Sequence, residues 1–289
     1  MQNIIQELTN SNYPFDPIKN LNLNKYLSQP RGLNVMYGME CYSGKIDDNY
    51  KNILIDFEEP NSITYRVKNM KYNYLSVIKK VDKKLTLCPY TAKYFNSLLN
   101  KTNSEQCFFP VDVEYIISRI GYPTFDKKRN VLYIGNNVSR LTDAFINISE
   151  KVSMPSYMDK IQALYNTKIA ICHNVLFFEN LLSDYNELIN IIPELKDDNF
   201  EVPQLKSRIF EAGFSKCIPL VYFHKSKIVE TYFVPDVDFI YFRTFNELIL
   251  LINKIVNDYD SYKYIAENIY KKCVENYKVS DFIEKYITV

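Results

Sequence analysis

The segment from Val202 to Phe242, VPQLKSRIFEAGFSKCIPLVYFHKSKIVETYFVPDVDFIYF, constrains the chain most. It reads as helix, strand, helix, strand. Ile209, Phe210 and Ala212 with Gly213 form a small apolar helix face, while Lys206, Arg208 and Glu211 put charges on the same two turns. Ile218 to Phe223 is an unbroken apolar run of β-branched and aromatic residues, the pattern of a strand buried on both faces. Pro219 falls near its start, where a missing N–H is tolerated. Lys225 to Tyr232 reads as a short amphipathic turn and Phe239 to Phe242 as a second buried strand. Helix N-termini at the carboxyl ends of parallel strands bind anionic groups.

The same alternation runs through the rest of the chain. Strands are expected at Leu33 to Gly38, Asn52 to Phe57, Leu85 to Cys88 and Cys107 to Phe109, with helices at Tyr65 to Ile78 and Ala92 to Leu99. Strands alternating with helices predict a parallel α/β sheet. In such a sheet the functional crevice lies beyond the carboxyl ends of the strands, which selects loops 38–44, 58–61, 89–91 and 110–112. GYPTFDKKR, from Gly121 to Arg129, is polar with Gly and Pro and reads as a linker. The expected domains are therefore 1–125, an abbreviated Rossmann-like unit, and 126–289. The second opens on a strand from Asn130 to Gly135, followed by Asn136, Asn137 and Arg140 before a helix. Strand, glycine turn and helix make a phosphate-binding shape, here with a single glycine. Lys168 to Cys172 reads as a strand with His173 and Asn174 at its carboxyl end, and Thr244 to Glu247 as a capping box.

Composition removes several classes of function. A formal net charge of +1 gives no global attraction to nucleic acid or to a membrane surface. The six cysteines show no C-x-x-C spacing and read as buried free thiols of a reducing, cytoplasmic compartment. The first residues lack the basic start and apolar core of a signal peptide. No apolar run approaches the ~20 residues of a membrane span, which leaves only peripheral membrane contact. With 25 Tyr, 18 Phe and no Trp, the aromatics read as codon bias rather than as a binding surface. No G-x-G-x-x-G occurs, which disfavours a Rossmann dehydrogenase.

Taken in order, Lys206, Arg208, Phe210, Glu211 and Ala212, then Cys217 to Val221, Ile228 to Phe233, Asp238 to Phe242 and Glu247 to Ile249 resemble the C-terminal domain of GT-B glycosyltransferases, closest to the family-1-like, CgeB-type group. FEEPN, CPYTAKYFN and PVD are similar to the N-terminal half of the same group, so the resemblance covers residues 33–289. It departs at Lys216, where such proteins usually carry glycine. The resemblance implies two Rossmann-like domains facing a cleft, the first abbreviated, with a last helix that crosses back to the first domain. It implies transfer of a sugar from a nucleotide-sugar donor to a hydroxyl of a glycan, lipid or protein, without metal.

Site residues follow from the same likeness. Glu211 is the expected ribose carboxylate, and Lys206 and Arg208 the diphosphate partners, since a guanidinium binds two phosphate oxygens at once. Gly135, Asn136 and Asn137 would bring backbone N–H groups to phosphate or sugar, with Arg140 a weaker candidate. His173 and Asn174 would line the base pocket. Glu59, then Glu58, would be the general base for an inverting transfer. Each has a bland alternative: a solvated helix charge for Glu211, a surface salt bridge for Lys206 and Arg208, turn residues at 135–137, a structural histidine, and a Glu-Pro corner at Glu59. The Glu-x7-Glu pair of common retaining enzymes is incomplete, because Pro203 stands where its first Glu would be. Asp236 and Asp238 form a D-x-D, but ahead of a late strand rather than in a metal-binding context. Two other readings stay open: a fucosyltransferase-like GT-B enzyme, and a catalytically silent GT-B-like subunit that binds a glycan or a partner.

Overall fold

The computed structural model describes residues 33–37, 46, 49–57, 71–135, 139–154 and 156–287. Contacts divide the chain into two compact units. The first comprises Met1–Phe109, Phe178–Gln204 and Ser280–Val289; the second comprises Pro110–Phe177 and Leu205–Val279. Unlike the single junction expected at 125/126, the chain passes between the units four times.

In the first unit, strands β1 (Leu33–Tyr37), β2 (Lys51–Ile55), β3 (Lys83–Thr86) and β4 (Ser104–Gln106) form a sheet in sequence order, all parallel. Helix α1 (Lys71–Lys80) joins β2 to β3, and α2 (Pro89–Leu99) joins β3 to β4. Pro89 opens α2 at a position where its missing N–H is no loss. The fourth strand is not Cys107–Phe109. Its register, Lys84↔Ser104 to Thr86↔Gln106, places it three residues earlier, and the apolar Cys-Phe-Phe that follows is core. Asp56, just beyond β2, and Lys84 of β3 form an ion pair of 2.9 Å with both side chains fully buried. The Lys84 ammonium also lies 4.5 Å from the Phe95 ring centroid. From Ser280 on, the last helix belongs to this unit: Phe282 packs edge-on against Phe108 at 5.6 Å, and Lys83 Nζ donates to the Tyr286 carbonyl at 3.1 Å.

In the second unit, β5 (Arg129–Tyr133), β6 (Thr167–Cys172), β9 (Ile218–Tyr222) and β10 (Ile240–Phe242) lie side by side in that order, again parallel; the short strands β7 (Val175–Phe177) of this unit and β8 (Glu201–Pro203) of the first lie outside both four-stranded sheets. β9 is a central strand whose residues Ile218–Val221 are all buried, so both of its faces are covered and its sequence is apolar without alternation. Pro219 fits because β10 pairs with β9 only from Leu220 onward. Connecting helices are α4 (Arg140–Ile148), α5 (Tyr157–Tyr165) and α7 (Arg208–Phe214), and α8 (Phe245–Asn257) and α9 (Lys263–Asn276) follow the last strand; α3 (Val113–Ile120) precedes β5, α6 (Leu182–Ile191) belongs to the first unit, and α10 (Val279–Tyr286) ends the fold. Val131, Ile169, Ile171, Ile218, Leu220, Phe242 and Leu248 make the core of the sheet and its cover. Thr244 caps α8 through Glu247 N, and the Glu247 carboxylate accepts from Arg243 N rather than from the cap itself.

The end of α7 explains the departure at position 216. Cys217 N donates to Ala212 O and Lys216 N to Gly213 O, both at 3.0 Å, and Lys216 has φ +52°. This is the Schellman arrangement, whose left-handed position normally takes glycine. Here a lysine occupies it, with its ammonium 2.7 Å from Glu267 and 4.6 Å from the Tyr270 ring. The described cysteines, Cys88, Cys107, Cys172, Cys217 and Cys273, are free and buried.

Candidate functional site

The site grows from the carboxyl ends of two adjacent strands of the second unit. β5 ends at Tyr133 and the chain turns at Gly135. β6 ends at Cys172 and delivers His173 and Asn174, both almost fully buried. The segment leading into α7 comes back to the same place, because Lys206 N donates to Asn174 Oδ1 at 2.9 Å. That bond fixes where Lys206 and, two residues on, Arg208 emerge.

Both cations converge on His173. Lys206 Nζ is 3.2 Å from Nε2, and Arg208 Nη1 is 2.9 Å from Nδ1 and 3.3 Å from Nε2. A single nitrogen close to both ring nitrogens lies against the imidazole face rather than in its plane. The guanidinium also lies over the Tyr133 ring, 5.5 Å from its centroid, and Tyr133 Oη is 3.4 Å from Nδ1. Burial, then Lys206, then Arg208 hold the imidazole well below its ordinary pKa, so His173 is neutral. Burial raises the Tyr133 phenol despite the opposing pull of Arg208. Among the described residues no carboxylate lies within 4.0 Å of Arg208. Gly135 is in contact with this group: a Cβ added there would meet Tyr133 Oη at 2.4 Å and Arg208 Nη2 at 3.0 Å. A neutral acceptor flanked by two cations, beside a residue with no side chain, is an arrangement suited to an anion with several oxygens.

The expected residues are distributed unevenly. Gly135, His173, Asn174, Lys206 and Arg208 come together. Glu211 turns to α5 instead: it is 2 % exposed and its Oε2 is 2.6 Å from Lys160 Nζ. Arg140 is exposed at the first position of α4, and none of the cluster's contacts involves it. Glu58, Glu59, Asn136 and Asn137 lie outside the described residues. Asp238 of the D-x-D accepts from Lys272 Nζ at 2.7 Å and from Val234 N at 2.8 Å. Tyr133 was not singled out from the sequence; its signal is an aromatic residue at the last strand position before a glycine turn.

No family model and no curated protein matches the sequence. Among solved structures, a sucrose-phosphate synthase from Thermosynechococcus elongatus aligns with TM-score 0.51 at 9% identity, over 98% of this chain and 77% of that one. The fold is of the GT-B type. TarM aligns with TM-score 0.49 at 10% identity, over 87% of this chain and 53% of that one. HepE of Anabaena, solved with UDP-glucose, aligns with TM-score 0.45 at 11% identity, over 82% and 71%. Among the described residues of this GT-B chain no helix is long and apolar enough to cross a membrane.

Proposed function

We propose that this protein is a glycosyltransferase that binds a nucleotide-sugar donor in its second unit, with the diphosphate on Lys206 and Arg208 and the backbone at Gly135. The observation that carries the reading is the Arg208 guanidinium, stacked on a neutral histidine with no carboxylate of the described residues beside it. A cation so placed has its donors left for a ligand. When the anomeric carbon–oxygen bond breaks, its electron pair leaves with the nucleoside diphosphate, and two cations on the phosphates stabilise that charge as it develops. The acceptor, a hydroxyl of a glycan, a lipid or a protein, forms the new bond and gives its proton to a base, for which Glu59 and then Glu58 are the candidates. Metal is not required in this scheme, because side chains neutralise the diphosphate. The shared fold with a sucrose-phosphate synthase is consistent with glycosyl transfer, and the pieces from Lys206 to Ile249 favour the CgeB-type group within it. A cytoplasmic setting fits the free thiols.

The test is calorimetric titration with UDP and the other nucleoside diphosphates, with and without chelator, followed by turnover of the matching nucleotide sugar. Binding indifferent to chelator, with transfer, is expected. Absence of any nucleoside diphosphate binding, or strict dependence on Mg²⁺ or Mn²⁺, would overturn the reading. Binding without turnover would identify a silent subunit.

A further inference from the structure

We infer that His173 is a positioning residue: its Nε2 accepts the Lys206 ammonium while its ring face carries the Arg208 guanidinium, so that the two cations are held as one fork for a single diphosphate. The inference rests on the reading of this cluster as a diphosphate site.

The hydrogen-bond inventory favours the arrangement once Arg208 is placed on the ring face. An ammonium has only donors, so a ring nitrogen 3.2 Å from Lys206 Nζ must present its lone pair. Nε2 is therefore unprotonated, and in a neutral imidazole the proton sits on Nδ1. Tyr133 Oη, 3.4 Å away, is there to accept it. The opposite tautomer would point an N–H at an ammonium. Arg208 takes the remaining direction, the ring face, where it meets no N–H head-on.

Among the described residues, the groups that face His173 fit this scheme. Tyr133 comes from β5, Phe145 from α4 and Phe177 from β7, with ring centroids 5.8, 6.4 and 5.6 Å from the imidazole. Lys206 and Arg208 approach the same ring. A proton added to His173 would make a third positive charge within 3.3 Å of the other two, in a place shielded from water. With the imidazole removed, Lys206 and Arg208 lose the group of the described residues that both of them contact. They would then separate, and one diphosphate would no longer span them.

Two measurements test this. The chain has two histidines, His173 and His224, so nitrogen-15 NMR of the imidazoles gives two spin systems, assigned with His224→Gln. His173 should appear as the neutral Nδ1–H tautomer and stay neutral at the pH of ~6.5 where free histidine is half protonated. An Nε2–H tautomer, or a midpoint near the free value, overturns the inference whatever the ligand. The second measurement is calorimetric titration with inorganic pyrophosphate. His173→Phe keeps a ring face for Arg208 but has no acceptor, and should bind about tenfold or more weakly, as expected for loss of a hydrogen bond to a charged group. His173→Gln supplies an acceptor oxygen and should recover most of the loss, which a purely structural role for the ring would not give. Arg208→Ala separates the levels. If it weakens binding while His173→Phe, folded by thermal unfolding, does not, this inference alone falls. If the wild-type protein binds no pyrophosphate, or binds it regardless of Arg208, the diphosphate reading falls.

Discussion

Gly135→Ala adds one methyl group and should separate the diphosphate site from the fold that holds it. The new Cβ would lie 2.4 Å from Tyr133 Oη, 2.6 Å from Tyr133 Cζ and 3.0 Å from Arg208 Nη2. The backbone at 135 is not left-handed, so alanine meets no dihedral penalty and the conflict is steric. Tyr133 cannot swing aside: it is buried, with Phe145 at 5.4 Å and His173 at 5.8 Å. The backbone at 135 must therefore shift, and the guanidinium, 3.0 Å from the new methyl and lying over the Tyr133 ring, is displaced with it. Overpacking of this kind costs about 1–3 kcal/mol. If about 1.4 kcal/mol of it falls on Arg208, affinity for a nucleoside diphosphate drops about tenfold. Calorimetric titration with UDP measures the affinity, and scanning calorimetry of the same sample measures the share that falls on folding. In an Arg208→Ala background the methyl has no guanidinium to displace, so its further effect on binding should vanish. Losses that simply add, or a Gly135→Ala protein with wild-type affinity and melting temperature, would refute the reasoning.

Other perturbations probe the rest of the architecture. Arg208→Ala should cost roughly 1.5–3 kcal/mol of nucleoside diphosphate binding with little change in folding; unchanged affinity with a collapsed melting temperature would make Arg208 structural. Lys84→Met leaves Asp56 buried without its cation and should cost about 3–5 kcal/mol in denaturant unfolding; a loss below about 1 kcal/mol would contradict the described packing. Lys216→Ala should destabilise by about 1–2 kcal/mol, because it keeps the left-handed backbone and loses Glu267 and Tyr270, whereas Lys216→Gly relieves the backbone and should be nearly neutral. An alanine variant as stable as the glycine variant would remove the Schellman argument. Glu59→Gln, outside the described residues, should abolish transfer and leave donor binding intact, a difference of ~10²–10⁴-fold in rate; near-normal turnover would move the base elsewhere.

What was legible in the sequence followed burial. β9 is buried on both faces and its apolar run announces it. β4 carries Ser, Glu and Gln because it is the last strand of its sheet, so no apolar signal marks it, and the Cys-Phe-Phe beyond it imitated one. Arg208 and His173 could each be named, yet their meeting could not, since it depends on the Asn174 bond to Lys206 N that folds two distant segments together. Glu211 was visible on its helix, but Lys160, which engages it, lies on a helix far earlier in the chain. Tyr133 was hidden in a tyrosine-rich composition. The lysine that stands at 216 in place of glycine still makes the tight turn, because it adopts φ +52° with its ammonium on a ring face and a carboxylate.

The buried cysteines turn the chain into its own clock. Alkylating reagents attack thiolates, and burial pushes Cys172 up to about 12 and Cys217 up to about 11, with Cys107 and Cys273 also raised. None of these reacts until its surroundings open. The rate at each sulfur is then a reading of how often that neighbourhood breathes, from partial opening to complete unfolding. Cys88 and Cys107 report on the first unit, and Cys172, Cys217 and Cys273 on the second. A diphosphate gripped by the second unit should slow Cys172, Cys217 and Cys273 before Cys88 and Cys107, and would be seen without an assay for turnover.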